Sequence, residues 1–457
     1  MNLFDPSDPR PVHFVGIGGA GMSALALIAR RRGVAVSGCD PDPSGAADVA
    51  ALGAVVSNHH DPSHVTGARA VVYTAAVSAD HPELVRAREL GLPVVPRKEA
   101  LAGLVAAGTV VGIAGTHGKT TTTVMTTEAL AAAGLAPTGL AGGRVGHWGG
   151  NAWLGGDALF VVEADEYDKA FLALTPAVAV VGNVEADHLE CYGSLEALEA
   201  AFATFAGRAR TRLIGADDPG AARLAARLGP GTLRFGLSSD AELCISAVRQ
   251  EVGTTTASVR LPGGTSVTLR LRVPGLHNLR NATAALGVVH ALGGPVAPAL
   301  EALAEYAGVG RRFERLGDAG GVTLVDDYAH HPTELVATLE AARQAFPGRR
   351  LVAVFQPHLF SRTQAHGVAM GRALAAADVA VVTEIYAARE QPIPGVSGAA
   401  VADAARAAGA DVRFAPVRAE VGAVVRELLR PGDVLLTLGA GDITRLGPEL
   451  AMWLRAA

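Results

Sequence analysis

The segment best suited to chemistry is Gly115-Thr116-His117-Gly118-Lys119-Thr120-Thr121. Phosphate oxygens need several N–H donors converging on a tight turn, and glycines let the backbone approach closely enough to supply them. The apolar run Thr109–Ala114 precedes this segment, and a helical pattern to Ala133 follows it. The helix would then aim its positive end at the anion. Lys119 can reach β and γ phosphates, and the Thr120 hydroxyl suits Mg²⁺. Two residues separate the glycines where the usual phosphate loop has four, so a plain glycine turn is the competing reading. The only lysines are Lys98, Lys119 and Lys169, and one of them stands where phosphate binding needs it.

Two later strand ends also carry polar groups. Ala158–Val162 runs into Glu163-Ala164-Asp165-Glu166, and Ala177–Val181 runs into Asn183-Val184-Glu185-Ala186-Asp187-His188. α/β folds place ligands at the carboxyl ends of parallel strands, and Mg²⁺ prefers oxygen donors. Glu163, immediately after its strand, is the expected metal ligand. His188 is expected to complete a second Mg²⁺ site or to touch a transferring phosphate. Either run alone would read as a solvated acidic loop; three successive strand-end motifs favour a site.

Gly16-x-Gly18-x-x-Gly21, with Asp40 about 20 residues on, fits the dinucleotide fingerprint. Taken literally it says NAD. Physically it asks only for a diphosphate on a helix end and a carboxylate near a ribose, which a UDP group also satisfies. In the last third, Asp326-Asp327-Tyr328-Ala329-His330-His331-Pro332 follows the strand Thr323–Val325, and Phe355-Gln356-Pro357-His358 follows the next one. These ends could face one cleft, with Arg362 clamping a carboxylate and the histidines bonding substrate or phosphate. His-His-Pro could instead cap a helix.

The elements that must position these groups alternate strand and helix throughout. The 457 residues suggest about three domains at roughly 150 residues each, with boundaries near 105 and 308. The first reads Val12–Val15, helix Met22–Arg31, Val34–Ser37, Ala70–Tyr73, helix Pro82–Leu90 and Val94–Val95. The second holds the phosphate loop, paired strands within Thr254–Val273 turning at Pro262-Gly263-Gly264, and a helix from Asn278 to Leu292. The third holds Thr323–Val325, Leu351–Phe355, Val379–Thr383 and Val434–Leu438. A net charge of −5 argues against bulk attraction to nucleic acid or anionic lipid. Cys39, Cys191 and Cys244 form no C-x-x-C pair, which argues against a disulfide framework and a thiolate zinc site and for a reducing cytoplasm. No signal-peptide pattern or membrane-length apolar run is expected.

Together these motifs resemble the Mur ligase family, ATP-dependent ligases of peptidoglycan precursor synthesis. Eight segments in the family's order carry the resemblance: GIGGAGMSALA (Gly16–Ala26), GTHGKTTT (Gly115–Thr122), EADEYDKAFL (Glu163–Leu172), NVEADHLECYG (Asn183–Gly193), GLHNLRNATAA (Gly275–Ala285), GVGRRFE (Gly308–Glu314), DDYAHHPTE (Asp326–Glu334) and FQPHLFSRT (Phe355–Thr363). The resemblance implies an α/β protein of three domains. These are a Rossmann-like UDP-sugar domain (1–105), a P-loop ATPase-type domain with a mainly parallel sheet (106–307), and a Rossmann-like amino-acid domain (308–457). It also implies ATP and Mg²⁺, the small-molecule substrates UDP-N-acetylmuramic acid and L-alanine, and an acyl-phosphate route.

By the same resemblance Thr120, Glu163 and His188 would hold Mg²⁺. Gly115 to Thr121, His277, Asn278, Asn281, Arg312 and Asp327 would take ATP, with Asp327 on its ribose. Gly18, Gly19, Ala20, Gly21, Met22 and Ser23 would surround the UDP diphosphate, with Asp40, Thr74, Ala75 and Ala76 near uridine or sugar. Tyr328, His330, His358 and Arg362 would line the L-alanine side, and Lys119, Glu163, His188, His330 and Arg362 would carry the chemistry. Leu359 stands where many relatives have Arg, and Tyr167 where many have Ser. That Tyr also occurs in the sibling that attaches a preformed tripeptide, which is the nearer alternative. An NAD-dependent dehydrogenase is the distant one and leaves the phosphate loop and the histidine motifs without a use.

Overall fold

The computed structural model describes residues 3–388 and 390–456. They divide into two compact units. The first comprises the chain up to Ala247 with Ala257–Leu269 and Arg280–Tyr306; the second comprises Val248–Thr256, Arg270–Leu279 and the chain from Ala307 on.

The first unit opens with a five-stranded parallel sheet: β1 (Val12–Val15), β2 (Val36–Cys39), β3 (Val55–Ser57), β4 (Ala70–Tyr73) and β5 (Val94–Pro96), in the order β3-β2-β1-β4-β5. β1 is wholly buried, and the helix Ala20–Arg31 leaves its carboxyl end. β1 lies where the strand order reverses, the crevice in which open α/β sheets bind ligands. The expected Val34–Ser37 strand lies two residues later, because Val36 is the residue that pairs with Val12.

A ten-stranded sheet follows. Its strands are β6 (Thr109–Ala114), β7 (Thr138–Val145), β8 (Gly150–Trp153), β9 (Leu159–Glu163), β10 (Val178–Val181), β11 (Thr211–Gly215), β12 (Thr232–Gly236), β13 (Leu243–Glu251), β14 (Thr254–Arg260) and β15 (Ser266–Leu271). Their order is β15-β14-β13-β12-β11-β10-β6-β9-β7-β8. β6 sits between β10 and β9, parallel to both, so three chemistry-bearing strand ends lie side by side. Strands covered on both faces read as continuous apolar runs, as β6 and β10 do. β14 alternates buried and half-exposed residues, as a strand with one wet face must. One apolar core joins the two sheets, from Phe14, Leu27 and Ile28 to Phe160, Val162 and Phe202.

The second unit carries a six-stranded sheet: β16 (Glu314–Ala319), β17 (Val322–Asp327), β18 (Leu351–Phe355), β19 (Val379–Val382), β20 (Val412–Phe414) and β21 (Val434–Leu438). The order is β16-β17-β21-β18-β19-β20, parallel except for β16. Apolar clusters cover both faces, one around Phe355 and Leu339 and one around Val354 and Leu446. β17 runs on through Asp326 and Asp327, past the expected end at Val325. Both acids stay in register with Thr437 and Leu438 of β21 and have side-chain and backbone donors for their oxygens. Likewise Glu163 is the last residue of β9, paired with Ile113, rather than the first after it. No helix among the described residues is long and apolar enough to cross a membrane.

Close packing at the strand ends is testable. A Cβ on Gly215 would lie 2.0 Å from the Gly182 carbonyl oxygen, whereas one on Gly207 has nothing nearer than 3.9 Å. Gly215→Ala should lower stability by at least about 2 kcal/mol, while Gly207→Ala, at a helix end, should be neutral or stabilising by up to about 1 kcal/mol. Denaturant midpoints of the two variants check this.

Candidate active site

The turn between β6 and the helix Lys119–Ala132 is built from β6's last carbonyls outward. Gly115 and Gly118 adopt φ of 132° and 77°, which side-chain-bearing residues avoid. Gly118 is the N-cap of the helix, and a Cβ there would meet Asn281 Oδ1 at 2.8 Å. Asn183, at the end of β10, holds the turn from the other side. Its Oδ1 accepts the His117 N–H at 2.7 Å, and its Nδ2 donates to the His117 carbonyl at 3.2 Å. The Glu185 N–H donates to Thr116 Oγ1 at 2.9 Å, and the Glu185 carboxylate lies 3.3 Å from His117 Nε2.

Two carboxylates from the end of β9 face this turn. Lys119 Nζ donates to both oxygens of Glu166, at 2.8 and 2.7 Å, and to the Thr116 carbonyl at 3.3 Å. Glu166 is only 1% exposed. Burial works against a charged Lys119, yet the charges of Glu166 and Asp165 outweigh it and hold the ammonium above its ordinary pKa. One residue along, Thr120 Oγ1 donates to Glu163 Oε1 at 3.0 Å, and the Gly142 N–H donates to Glu163 Oε2. A Cβ on Gly142 would lie 2.5 Å from the Glu163 carboxylate, so a larger residue there would push the carboxylate out of this position. A hydroxyl and a carboxylate side by side, with an ammonium next door, form a hard oxygen donor pair of the kind Mg²⁺ takes.

His188 has a φ of 51° and begins the short helix Leu189–Tyr192. Its ring lies edge-on to Tyr167 at 5.2 Å and within 3.4 Å of Glu190 and 3.7 Å of Asp187. Tyr192, four residues on, donates to the Glu166 carbonyl at 2.6 Å. Lys169 lies over the Tyr192 ring.

The glycine turn after β1 is equally constrained. Gly16, with a φ of 82°, packs so closely on Thr74 that a Cβ would lie 2.6 Å from its methyl group. Asp40 spends both oxygens on backbone: Oδ2 accepts the Gly18 N–H at 3.0 Å and Oδ1 the Asp42 N–H at 2.9 Å. It braces the turn, where the dinucleotide fingerprint would have it on a ribose. Ser23 Oγ bonds back to Gly19 and Ala20. Two residues that the sequence reading missed meet this helix end. Asn151 of β8 donates to the Ala20 carbonyl at 2.6 Å and to Ser23 Oγ at 3.0 Å. The Arg97 guanidinium lies where a Cβ on Gly21 would come within 2.7 Å of it.

In the second unit the ends of β17 and β18 do face one another across β21. Tyr328, His330, His358 and Tyr386 form a run of rings at 5.2, 6.2 and 5.8 Å. Arg362, 7% exposed, places Nη1 3.3 Å from His358 Nδ1. Arg311 and Arg312 lie over the Tyr328 ring. His331 does something else: it caps the helix Pro332–Ala345 in a reciprocal pair with Glu334. Both readings of His-His-Pro therefore hold, one for each histidine. Asp327 accepts the Phe313 and Ala329 N–H groups at 2.7 and 2.8 Å. Burial pushes its pKa up to about 6 against the opposing pull of Arg312. His277 folds back on Gly275, and Asn278 Nδ2 donates to the Pro274 carbonyl at 2.7 Å.

A phosphate loop on a parallel sheet, with lysine and threonine each set on a carboxylate, defines a nucleotide-dependent α/β enzyme. Residues 11–109, 113–289 and 311–441 match, in turn, the Mur ligase family catalytic domain, the Mur ligase middle domain and the Mur ligase glutamate ligase domain. The chain is 47% identical to the UDP-N-acetylmuramate–L-alanine ligase of Streptomyces avermitilis, with 96% of both chains covered. It is 46% identical to that of Mycolicibacterium smegmatis, covering 98% of this chain and 96% of that one. The crystal structure of UDP-N-acetylmuramate–alanine ligase from Thermotoga maritima superposes with a TM-score of 0.85 at 31% identity, covering 98% of this chain and 99% of that one. A murein peptide ligase from Psychrobacter arcticus shares the fold, with a TM-score of 0.74 at 23% identity over 98% of this chain and 99% of that one. The chain belongs to the Mur ligase family.

The raised Asp327 pKa has a pH consequence. Between its ordinary value of 3.8 and about 6 the folded chain holds a proton that the unfolded chain has lost. Stability contributed by this group is therefore present at low pH and lost as pH rises through about 6, by up to about 3 kcal/mol. Asp327→Asn should remove that slope, so its stability relative to the parent should rise between pH 4 and pH 7 in denaturant unfolding.

Proposed function

We propose that this protein is an ATP-dependent ligase that joins L-alanine to the lactyl carboxylate of UDP-N-acetylmuramic acid, releasing ADP and phosphate, in peptidoglycan precursor synthesis. The observation that carries the reading is the near-full-length likeness to L-alanine-adding ligases. The paired Lys119–Glu166 and Thr120–Glu163 contacts support its first step. In this reading residues 1–105 take the UDP-sugar, 106–307 ATP, and 308–457 the amino acid.

A carboxylate is a poor electrophile until one of its oxygens leaves as phosphate. In the first step a carboxylate oxygen bonds to the γ-phosphorus while the bond to the β-bridging oxygen breaks, giving an acyl phosphate and ADP. The N–H groups from Gly115 to Thr121 hold the phosphates at the helix's positive end. Lys119, drawn partly from Glu166, neutralises the charge that develops. Thr120 and Glu163 would hold Mg²⁺, with His188 as a third donor, and the ion would supply further neutralisation across the phosphates. Gly115 to Thr121, His277, Asn278, Asn281, Arg312 and Asp327 would take ATP, with Asn183 keeping the turn in shape. Gly18 to Ser23 and Thr74 to Ala76 take the UDP-sugar, and Asp40 acts there by orienting the Gly18 amide.

In the second step the L-alanine amine, having lost a proton, attacks the acyl carbon, and the tetrahedral intermediate expels phosphate. Arg362 offers a fixed two-pronged donor for the amino-acid carboxylate. His330 Nδ1 lies 2.9 Å from the Tyr328 carbonyl oxygen and so carries the ring hydrogen. That leaves Nε2 as the acceptor nitrogen, the atom suited to take the amine proton.

Phosphate release from ATP and Mg²⁺ with UDP-N-acetylmuramic acid tests the reading. It should require both the sugar nucleotide and L-alanine. Release with L-Ala-γ-D-Glu-meso-diaminopimelate in place of L-alanine would assign the chain to the tripeptide-adding reaction instead. Lys119→Ala should lower kcat by about 10³-fold while calorimetry still finds UDP-sugar binding. Arg362→Ala should raise KM for L-alanine far more than KM for ATP, with only partial recovery in Arg362→Lys, whose single ammonium cannot make the paired contact.

A further inference from the structure

A second constellation of reactive side chains lies away from the phosphate loop, on the face of the five-stranded sheet covered by the helix Pro82–Glu89. Side chains alternate faces along a strand. His13 therefore shares its face with Val15 on β1, and Cys39 shares its face with Ser37 on β2. His60 and His64 follow β3, and Glu83 comes down from the helix. Glu83 is 0% exposed. Cys39 Sγ donates to Glu83 Oε2 at 2.9 Å, and His64 Nδ1 lies 2.9 Å from Oε1. His13 Nε2 is 3.6 Å from Glu83 Oε2 and 3.7 Å from Cys39 Sγ. His60 Nδ1 is 3.1 Å from the same sulfur.

We propose that His13 Nε2, Cys39 Sγ, His64 Nδ1 and the Glu83 carboxylate form a binding site for a divalent transition metal of the Zn²⁺ class, a site separate from the phosphate-transfer centre. One ligand atom from each lies within 4.8 Å of every other. Around a tetrahedral ion with bonds of 2.0 to 2.3 Å, ligand atoms sit about 3.3–3.8 Å apart. Closing onto an ion therefore needs shifts of about an ångström or less. Thiolate, imidazole and carboxylate together select Zn²⁺-like ions over Mg²⁺.

The surroundings fit a ligand set. His13 Nδ1 lies 2.9 Å from Ser37 Oγ, the kind of outer contact that fixes the tautomer of a metal-bound imidazole. The Asp61 N–H donates to Glu83 Oε1 at 2.9 Å. Among the described ion pairs Glu83 meets only imidazoles, with no lysine or arginine, so a bound cation would balance a buried carboxylate. His60 and His64 are 26% and 18% exposed at their side chains and give the ion a way in. His60 is a fifth donor within reach, and His81 Nδ1 beside it is buried without a hydrogen-bond partner. On binding, the Cys39 S–H proton leaves to solvent and the sulfur bonds the metal as thiolate. Spacing along the chain gives no hint of this site, because its successive ligands are 19 to 26 residues apart and lack the paired Cys or His motif by which zinc sites are read.

The test is Co²⁺ titration of the full chain, stripped with chelator and kept in excess Mg²⁺. One equivalent should bind and give the intense d–d absorption of a tetrahedral site together with a thiolate-to-metal charge-transfer band. Zn²⁺ should displace it. The charge-transfer band should vanish in Cys39→Ser and persist in the Cys191→Ser/Cys244→Ser double variant. His64→Gln, at a partly exposed position, should weaken Co²⁺ affinity at least 10-fold and serves if Cys39→Ser does not fold. Absence of a charge-transfer band at one equivalent, its survival in Cys39→Ser, or unchanged affinity in His64→Gln would overturn the proposal.

Discussion

A lysine ammonium placed beside a phosphate loop must stay charged while most of its water is gone. Without a partner such a burial would cost several kcal/mol. Glu166 meets that constraint with both carboxylate oxygens, and much of the first unit follows from where Glu166 has to be. β9 must end beside β6, so that a residue three past Glu163 can turn back under the loop. The turn is tight enough to put Asp168 and Lys169 in the left-handed region. It is held by Tyr192 on the Glu166 carbonyl and by Lys98 on Asp168 at 3.0 Å. The ion pair thus ties the phosphate loop to β9 through Glu166, and the amide hydrogen bonds of Asn183 tie it to β10.

The same logic, with neutral groups, shapes the glycine turn after β1. There the exposed donors are backbone amides, and the carboxylate that meets them is Asp40. An acid that accepts two amide hydrogens within its own turn fixes the conformation the anion will find. It thereby spends the oxygens that a dinucleotide site would offer to a ribose. This is a physical reason for a glycine fingerprint and a downstream acid to occur without NAD. Asn151, reaching from β8 to the first turn of the helix Ala20–Arg31, joins this helix end to the ten-stranded sheet. The shared apolar core from Phe14 to Phe202 carries the same connection below the surface.

Local signals made much of this legible from sequence. The phosphate loop, the apolar strand before it and the helix after it are contiguous, so composition and spacing located Thr109–Ala114 to the residue. The grouping of Tyr328, His330, His358 and Arg362 was legible because parallel strands deliver their ends to one edge. The strand ends at Glu163 and Asp327 were misplaced because charge depletes strands on average. Here hydrogen bonds from Thr120, Gly142, Phe313 and Ala329 satisfy the acids in place. Asn151, Arg97 and the bracing role of Asn183 were illegible for a different reason. Each acts on a backbone segment far away in the chain, and no spacing rule records such a contact. The Glu83 cluster is the limiting case, since it exists only once three strands and a helix have been folded together.

Adjacent like residues with unlike roles show how finely the fold divides that labour. Asp326 accepts from Arg311, Thr437 and Thr444, all of which staple the sheet. Asp327, on the opposite face of the same strand, accepts the Phe313 and Ala329 amides and shapes the loops beside the Tyr328–His358 rings. A strand's two-residue period forces this split, because neighbours point to opposite faces. His330 and His331 separate for the matching reason at a helix start. The residue at the N-cap must turn its side chain to the helix's own amides, so only the residue before it can reach the ring cluster. The two acids therefore brace different segments, while one histidine caps the helix and the other faces the ring cluster.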